Sequence, residues 1–345
     1  MIDKTAMSFD VFDASRGAAM AARLASSEIM TDWGARPLAA SSPLFDPLHY
    51  NNGAVWPFVT GWVALAQYRY HNAPAGKFAL DAIARTTFDE ARGRNPEVIS
   101  GRLYKPLDTA VPQQFFATSM VLTPLIRGLL GIDVDAPAHT LTIAPHLPAD
   151  WDSLGARNVV VAGAVVDLAL RRTADGMRLD LARRGAVFPI DVVFSPAFAL
   201  AAGANDATAG DVHVTTRGTL RDSLTLTVHH VGGRSITTPR AAVAIGDRSS
   251  AVRVVSERLV NGQYRATLEG RAGRSYRLRV ADGRALRDTD VTFPASGANA
   301  DDYTVTTLLM TATTGDANHA HSGLSSARRQ RAIPPMGARS TPLPR

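Results

Sequence analysis

The chain has 345 residues, 46% of them apolar, which is enough for two domains with substantial cores. The absence of cysteine excludes disulfides, thiolate metal sites and a cysteine nucleophile. Residues 316–345 carry five arginines and one aspartate, hence +4 of the net charge of +6. Because the rest of the chain is close to neutral, we expect no nucleic-acid partner.

Helical periodicity dominates the first 132 residues. The sequence predicts helices over residues 13–29, 54–71, 75–92 and 112–131. Pro57 suits the first turn of the second helix, where a missing N–H costs nothing. In that helix Val59 and Val63 lie on one apolar stripe and Phe58 and Trp62 on another, so we expect it to be packed between other helices.

Two long loops, residues 31–56 and 92–112, each lead into the N-terminal end of a predicted helix. They are rich in Gly, Pro, aromatic, amide and carboxylate residues. Long loops within compact domains commonly carry function. We expect the two loops to share one mouth, with the aromatic and polar groups that suit a sugar.

From residue 139 to about 283 the apolar period changes from 3.6 to 2, with turns every eight to twelve residues. This pattern predicts one antiparallel β-sandwich or two small ones. We therefore divide the chain into 1–132, 133–293 and a low-complexity tail, 294–345, disordered after about residue 315. No apolar run could span a bilayer and no secretion signal is visible, so we expect a soluble chain without a membrane partner.

Four segments in this order resemble one family. They are HYNNGAVWP (49–57), NPEVISG (95–101), PQQFFATS to LLGI (112–132) and LTIAPHLPADW (141–151). The combination resembles the glycogen-debranching, amylo-α-1,6-glucosidase-like glycoside hydrolases. This resemblance implies a partial (α/α)6 toroid, its last helical hairpins only, followed by an antiparallel β-sandwich domain.

The family hydrolyses glycosidic bonds with inversion, and the glutamate of its PE-x-x-x-G segment is the proposed general base. Glu97 matches that glutamate. The resemblance implies an oligo- or polysaccharide substrate with α-glucosidic, debranching-type linkages. The predicted substrate-binding residues all come from the two long loops: Asp32, Trp33, Arg36, Tyr50, Asn52, Trp56 and Lys105. We expect no cofactor and no metal.

Each of these residues also has an ordinary structural interpretation. Trp33 and Trp56 are candidates for the core, and Trp56 more so because it lies on the apolar stripe. Asp32 could brace its loop. Lys105 could be a solvated lysine and Glu97 a solvated loop glutamate.

The family's general acid has no counterpart here. Asp46 and Asp108 lie near the predicted mouth, but both occur in turn-like contexts where aspartate is common. We therefore interpret the chain as the C-terminal part of such an enzyme, whose partner is the missing N-terminal part of the barrel, and expect it to be nearly inactive alone. A non-catalytic carbohydrate-binding or scaffold protein and a fragment of an (α/α)6 glycoside phosphorylase remain as alternatives.

Overall fold

The computed structural model describes residues 2–9, 11–89, 91–198, 212–229, 234–240, 242–260, 263–282, 285–296 and 302–311. Its helices are α1 (Ile2–Met7), α2 (Ala14–Ala25), α3 (Pro57–Arg69), α4 (Ala73–Arg85) and α5 (Phe115–Pro124). A 3-10 turn, Thr86–Phe88, follows α4, and a π-helical turn, Leu125–Leu129, follows α5. None of the helices in these ranges is long and apolar enough to cross a bilayer.

Strands form most of the remaining structure. The first ten are β1 (Met30–Thr31), β2 (Gly34–Ala35), β3 (Ile132–Asp135), β4 (Thr140–Ile143), β5 (Ser153–Val161), β6 (Ala164–Thr173), β7 (Gly176–Gly185), β8 (Ile190–Phe194), β9 (Ala197–Phe198) and β10 (Val212–His213). They are followed by β11 (Thr216–Leu220), β12 (Ser223–His229), β13 (Arg234–Thr237), β14 (Arg253–Val260), β15 (Gln263–Arg271), β16 (Ser275–Asp282), β17 (Ala285–Thr292) and β18 (Tyr303–Thr311).

The predicted fold class, a partial (α/α)6 toroid followed by an antiparallel β-sandwich, is wrong. Strands account for 40% of the chain and helices for 22%, and no helical toroid is evident among the described helices. Helical periodicity located α3, α4 and α5, but it says nothing about how many helices surround them. These helices form a layer in which α3 contacts α1, α4 and α5.

The first β-sandwich consists of two four-stranded sheets, β11-β8-β4-β3 and β12-β7-β6-β5. Strand β6 alternates buried and less buried residues along AVVDLAL, as a strand with one core face must. Leu168 and Leu170 of this strand share a core with Ile143 and Val192 of the other sheet. Because β4 and β8 are parallel, this sandwich is mixed, not purely antiparallel.

The second β-sandwich pairs the sheets β13-β16-β17 and β14-β15-β18. Tyr264 and Leu268 of one sheet and Leu278 and Val280 of the other form its buried centre. Strand β18 pairs with β15 along its whole length, although the sequence analysis assigned its residues to the tail. Residues 312–345, including the stretch expected to be disordered, lie outside the described residues.

Helix α3 is the centre of the helical layer. Its stripe of Val59, Val63 and Ala66 is buried, and a Cβ added at Gly61 would lie only 2.4 Å from the Cβ of Met120 on α5. Glycine therefore permits the close approach of the two helices. The other stripe, with Trp62, is only half-buried, so α3 has one face that the described residues leave partly open.

Candidate functional site

The two long loops pack against each other through their backbones. Val55 and Ile99 form an antiparallel bridge, with N–H to O distances of 2.7 and 2.9 Å. The N–H of Gly101 also donates to the carbonyl of Pro47 at 2.8 Å. These bonds bring Glu97, which precedes the bridge by two residues, close to the segment that carries Tyr50.

Glu97 is only 8% exposed, and its carboxylate is held by neutral donors. Oε1 accepts hydrogen bonds from the Tyr50 hydroxyl and from Nε2 of Gln114, the latter at 2.7 Å. Oε2 accepts from the N–H of Val111 at 3.2 Å. The backbone N–H of Glu97 in turn donates to the Val111 carbonyl at 2.9 Å, which fixes the start of the side chain.

Tyr50 and Trp56 form an aromatic pair beside this carboxylate. Their ring centroids lie 4.5 Å apart in an edge-to-face arrangement. The indole N–H of Trp56 donates to the Tyr50 carbonyl at 3.0 Å, so the pair is rigid. Burial, followed by the hydrogen bond to Glu97, raises the pKa of Tyr50 to about 12. The phenol therefore remains a donor at physiological pH.

Trp33 is fully buried and offers no ring face to a sugar in this conformation. Its indole N–H donates to the Ser100 carbonyl at 2.9 Å, and its ring packs 5.6 Å from that of Tyr104. It belongs to a small core with Val55 and Ile99. The core interpretation, which the sequence left open, is the one this geometry favours.

Asp32 faces the second sandwich and is fully occupied. Its carboxylate accepts from the Ser249 hydroxyl at 2.6 Å, from the N–H groups of Ser250 and Ala251 at 2.6 and 2.9 Å, and from Arg253 at 3.3 Å. Both members of the ion pair are 1% exposed. Asp32 therefore braces the loop against β14.

Arg36, Asn52 and Lys105 differ in their burial and their surroundings. Arg36 is buried, and its guanidinium donates to the carbonyls of Gly101 at 2.7 Å and Ser27 at 2.6 Å. Burial, followed by repulsion from Arg253, lowers the pKa of Arg36 to about 10. Asn52 is half-buried and Lys105 is exposed. Of the predicted site residues, the structure thus brings Tyr50, Trp56 and Glu97 together.

Sequence reasoning missed two partners of Glu97. Gln114 and Val111 lie 17 and 14 residues from it in the chain. Gln114 is the N-cap of α5, and the PQQFF motif that contains it was visible in the sequence. Its proximity to Glu97 depends on how residues 98–110 fold back. The periodicity of apolar residues in the sequence does not predict that path.

A cavity of about 670 Å³ lies between α4, the connection after β4, and the second sandwich. Asp32 contributes to its wall, whereas Tyr50, Trp56 and Glu97 do not. Its mixed lining includes charged and aromatic side chains: Lys77, Asp81, Trp151, Arg172, Glu257 and Arg279. Burial raises the pKa of Glu257 to about 7, although the Tyr264 hydroxyl donates to it at 2.6 Å.

Three histidines could hold a metal ion: His71, His146 and His213. Burial lowers the pKa of His146 to about 3 and also lowers the pKa of His213. Both imidazoles are therefore neutral at physiological pH. No local sequence motif indicates this group, because its members come from three distant segments.

Comparison with known proteins adds no relative: no protein-family model and no curated protein matches this chain.

Proposed function

We propose that this chain supplies the general base of an inverting glycoside hydrolase acting on α-glucosidic, debranching-type carbohydrate. The observation that carries the proposal is the Glu97 carboxylate, held between Tyr50 and Gln114 beside the Trp56 ring. A carboxylate with neutral partners keeps its negative charge available, whereas one paired with a cation does not. Aromatic rings beside such a group suit the C–H faces of a sugar.

The hydrogen bonds of Glu97 leave capacity for a water molecule. A carboxylate has about four lone-pair directions, two on each oxygen. Among the described residues, Oε1 accepts two hydrogen bonds and Oε2 accepts one, from Val111. We propose that the second lone pair of Oε2 orients the attacking water and accepts its proton.

Inversion also requires a carboxylic acid on the opposite side of the bond that is cleaved. Asp108 is exposed, and Asp46 is an exposed turn residue whose carboxylate accepts from the N–H of Leu48 at 3.0 Å. We propose that a further polypeptide segment supplies the acid.

The outer faces of α3 and α5 support this proposal. Phe9 and Phe116 are 66% and 62% exposed, and they contact the half-buried Trp62 and Phe58 at centroid distances of 6.1 and 5.9 Å. Exposed aromatic groups of this size commonly mark an interaction surface. A helical segment that carries the acid and covers this face would complete the site.

The test uses a substrate whose departure needs no protonation. Fluoride leaves α-glucosyl fluoride without a general acid, so we expect the isolated full-length chain to hydrolyse it slowly while leaving α-glucosides with alcohol leaving groups intact. Glu97→Gln should lower fluoride release by roughly 10²- to 10⁴-fold.

The matched control is Glu28→Gln, because the Glu28 carboxylate accepts from the N–H and the hydroxyl of the exposed Ser41 and lies outside the Tyr50–Trp56–Glu97 group. It should release fluoride at the wild-type rate. Full activity in Glu97→Gln would remove the assigned base. Robust hydrolysis of ordinary α-glucosides that survives Asp46→Asn and Asp108→Asn would contradict an acid supplied from elsewhere.

A second candidate, a non-catalytic carbohydrate-binding protein, is favoured by the 670 Å³ cavity with its Trp151 ring and adjacent carboxylates and guanidiniums. Lys77 already lies over that ring, 5.6 Å from its centroid. In this case maltooligosaccharide binding, followed by saturation-transfer NMR, would disappear in Trp151→Ala and persist in Glu97→Gln. If the chain is a hydrolase, hydrolysis would instead disappear in Glu97→Gln and persist in Trp151→Ala.

A further inference from the structure

His71, His146 and His213 converge from three separate elements. His71 directly follows the C-cap of α3, His146 lies in the connection after β4, and His213 ends β10. Their ligand nitrogens all lie within 4.8 Å of one another. The ring centroids are 4.9 to 5.8 Å apart, so the three imidazoles surround one common point.

The spacing of two of these nitrogens matches a metal site. Nε2 of His213 lies 3.4 Å from Nδ1 of His71. Two imidazole nitrogens bound to zinc at about 2.0–2.1 Å with tetrahedral angles would lie about 3.4 Å apart. The separation of this pair is therefore that of two ligands of one ion.

Backbone carbonyls orient the rings of His213 and His146, as they do in many metal sites. Nδ1 of His213 lies 2.8 Å from the Ser195 carbonyl, and Nδ1 of His146 lies 3.1 Å from the Gly128 carbonyl. A proton on each Nδ1 leaves Nε2 as the lone-pair nitrogen. Histidines that bind metals commonly donate their second nitrogen to such a carbonyl.

We propose that His71, His146 and His213 form a zinc-binding site that joins the helical layer to the first β-sandwich. Three imidazoles without a thiolate or a carboxylate suit Zn²⁺ and exclude Ca²⁺ and Mg²⁺, which prefer oxygen ligands. No metal was expected from the sequence, in which the three residues share no local spacing.

Such a site has two consequences. A tetrahedral ion with three protein ligands keeps a fourth position for water or another small ligand. His146 also lines the 670 Å³ cavity, so that ligand could enter from it. An ion that binds only the folded chain stabilises the folded state. Here it would link the end of α3 to the segments around His146 and His213.

The experiment titrates the untagged full-length chain with Zn²⁺, and in parallel with Co²⁺ as a spectroscopic probe. We expect one ion per chain, a higher melting temperature with zinc, and the intense visible bands of four-coordinate Co²⁺. Mg²⁺ at the same concentration should leave the melting temperature unchanged. Absence of Zn²⁺ binding by the folded chain overturns the proposal.

Two pairs of variants separate this site from adventitious binding. His71 has φ of 56°, and the control residue His139 has φ of 50°. Asparagine tolerates this left-handed conformation, so His71→Asn and His139→Asn make equal backbone demands. His213→Gln is compared in the same way with His229→Gln, an exposed histidine bonded to Asp175.

We expect His71→Asn and His213→Gln each to weaken zinc binding by more than about 100-fold, because a lost ligand costs more than a lost partner of a ligand. Both control variants should bind like the wild type. Circular dichroism shows that each variant is folded before titration. Undiminished zinc binding by either folded cluster variant overturns the assignment.

Discussion

Asp32 and Glu97 are both buried carboxylates in the long loops before and after α3 and α4, yet their surroundings differ. Asp32 is bonded to Arg253, to the Ser249 hydroxyl and to two backbone N–H groups. Among the described residues, the donors to Glu97 are all neutral, and an aromatic pair lies beside it. Burial alone therefore does not mark a reactive carboxylate, because its partners decide whether its charge is used for structure or available for chemistry.

The largest expected effect tests the structural side of this comparison. Asp32→Asn removes the charge but keeps the shape, which leaves the buried guanidinium of Arg253 without its ion-pair partner and with the charge of Glu269 still acting on it. We expect it to lower the free energy of unfolding by about 3–5 kcal/mol. Urea denaturation followed by circular dichroism measures the change.

The control for that experiment is Asp288→Asn, the same substitution in the exposed ion pair with Arg279. It should change the free energy of unfolding by less than about 1 kcal/mol. Glu97→Gln should also cost less than Asp32→Asn, since it strands no cation. Equal destabilisation by Asp32→Asn and Glu97→Gln would show that both charges serve stability to the same extent, which contradicts the difference between the two carboxylates.

A third buried carboxyl, Glu257, extends the comparison to pH. In the native chain its pKa is about 7, chiefly because burial disfavours the charge, against an ordinary value of 4.5. Between these two pH values the native state binds more protons than the unfolded state, so this group makes stability fall as the pH rises. Below about pH 4.5 the carboxyl is protonated in both states.

Glu257→Gln removes this dependence and should stabilise the chain at pH 8 relative to the wild type, by up to roughly 3 kcal/mol. At pH 4 the two proteins should differ much less. Thermal unfolding at both pH values provides the measurement. A wild-type advantage at pH 8 would show that the Glu257 carboxylate has stabilising partners in the native state.

A smaller effect is expected when Glu97 loses one donor. Tyr50→Phe removes the hydroxyl that bonds the carboxylate and should cost about 1–2 kcal/mol of unfolding free energy, because hydrogen bonds to charged groups are the stronger ones. Tyr70→Phe is the matched control, since that hydroxyl donates to the neutral Phe12 carbonyl at 3.3 Å. The same urea experiment compares the two variants. A larger loss of unfolding free energy in Tyr70→Phe than in Tyr50→Phe would contradict this expectation.

The smallest effect belongs to Lys105, which was predicted to bind substrate because it lies in one of the two long loops, and which is exposed. Lys105→Ala should change the free energy of unfolding by no more than about 0.5 kcal/mol. Maltooligosaccharide titration then isolates any role in binding. A decrease in sugar affinity without a loss of stability would return Lys105 to the site.

Local features were predictable from the sequence, and long-range ones were not. Pro57 and the apolar stripes located α3, because capping and periodicity are local properties. The pairing of Asp32 with Arg253 spans 221 residues, and no local pattern reports it. The predicted toroid failed for the same reason: periodicity identified helices, whereas their number and neighbours depend on the whole chain.

In the candidate site, too, local features were predictable from the sequence and packing was not. Tyr50, Trp56 and Glu97 were singled out by residue type and by the resemblance, and the structure brings them together. Trp33 has the same chemistry as Trp56, but its ring is used in the core. Which of two equivalent tryptophans faces a site is a matter of packing: the apolar stripe favoured Trp56 for the core, whereas Trp33 is the fully buried one and Trp56 is half-buried.

The central claim, that Glu97 acts as the base of an inverting hydrolase, is tested most directly by the configuration of the first product. Proton NMR of α-glucosyl fluoride hydrolysis at early times distinguishes β-glucose from α-glucose before mutarotation mixes them. We predict β-glucose, formed by the wild type and by Glu28→Gln and lost in Glu97→Gln. Formation of α-glucose, or of β-glucose at an undiminished rate by Glu97→Gln, would contradict the account.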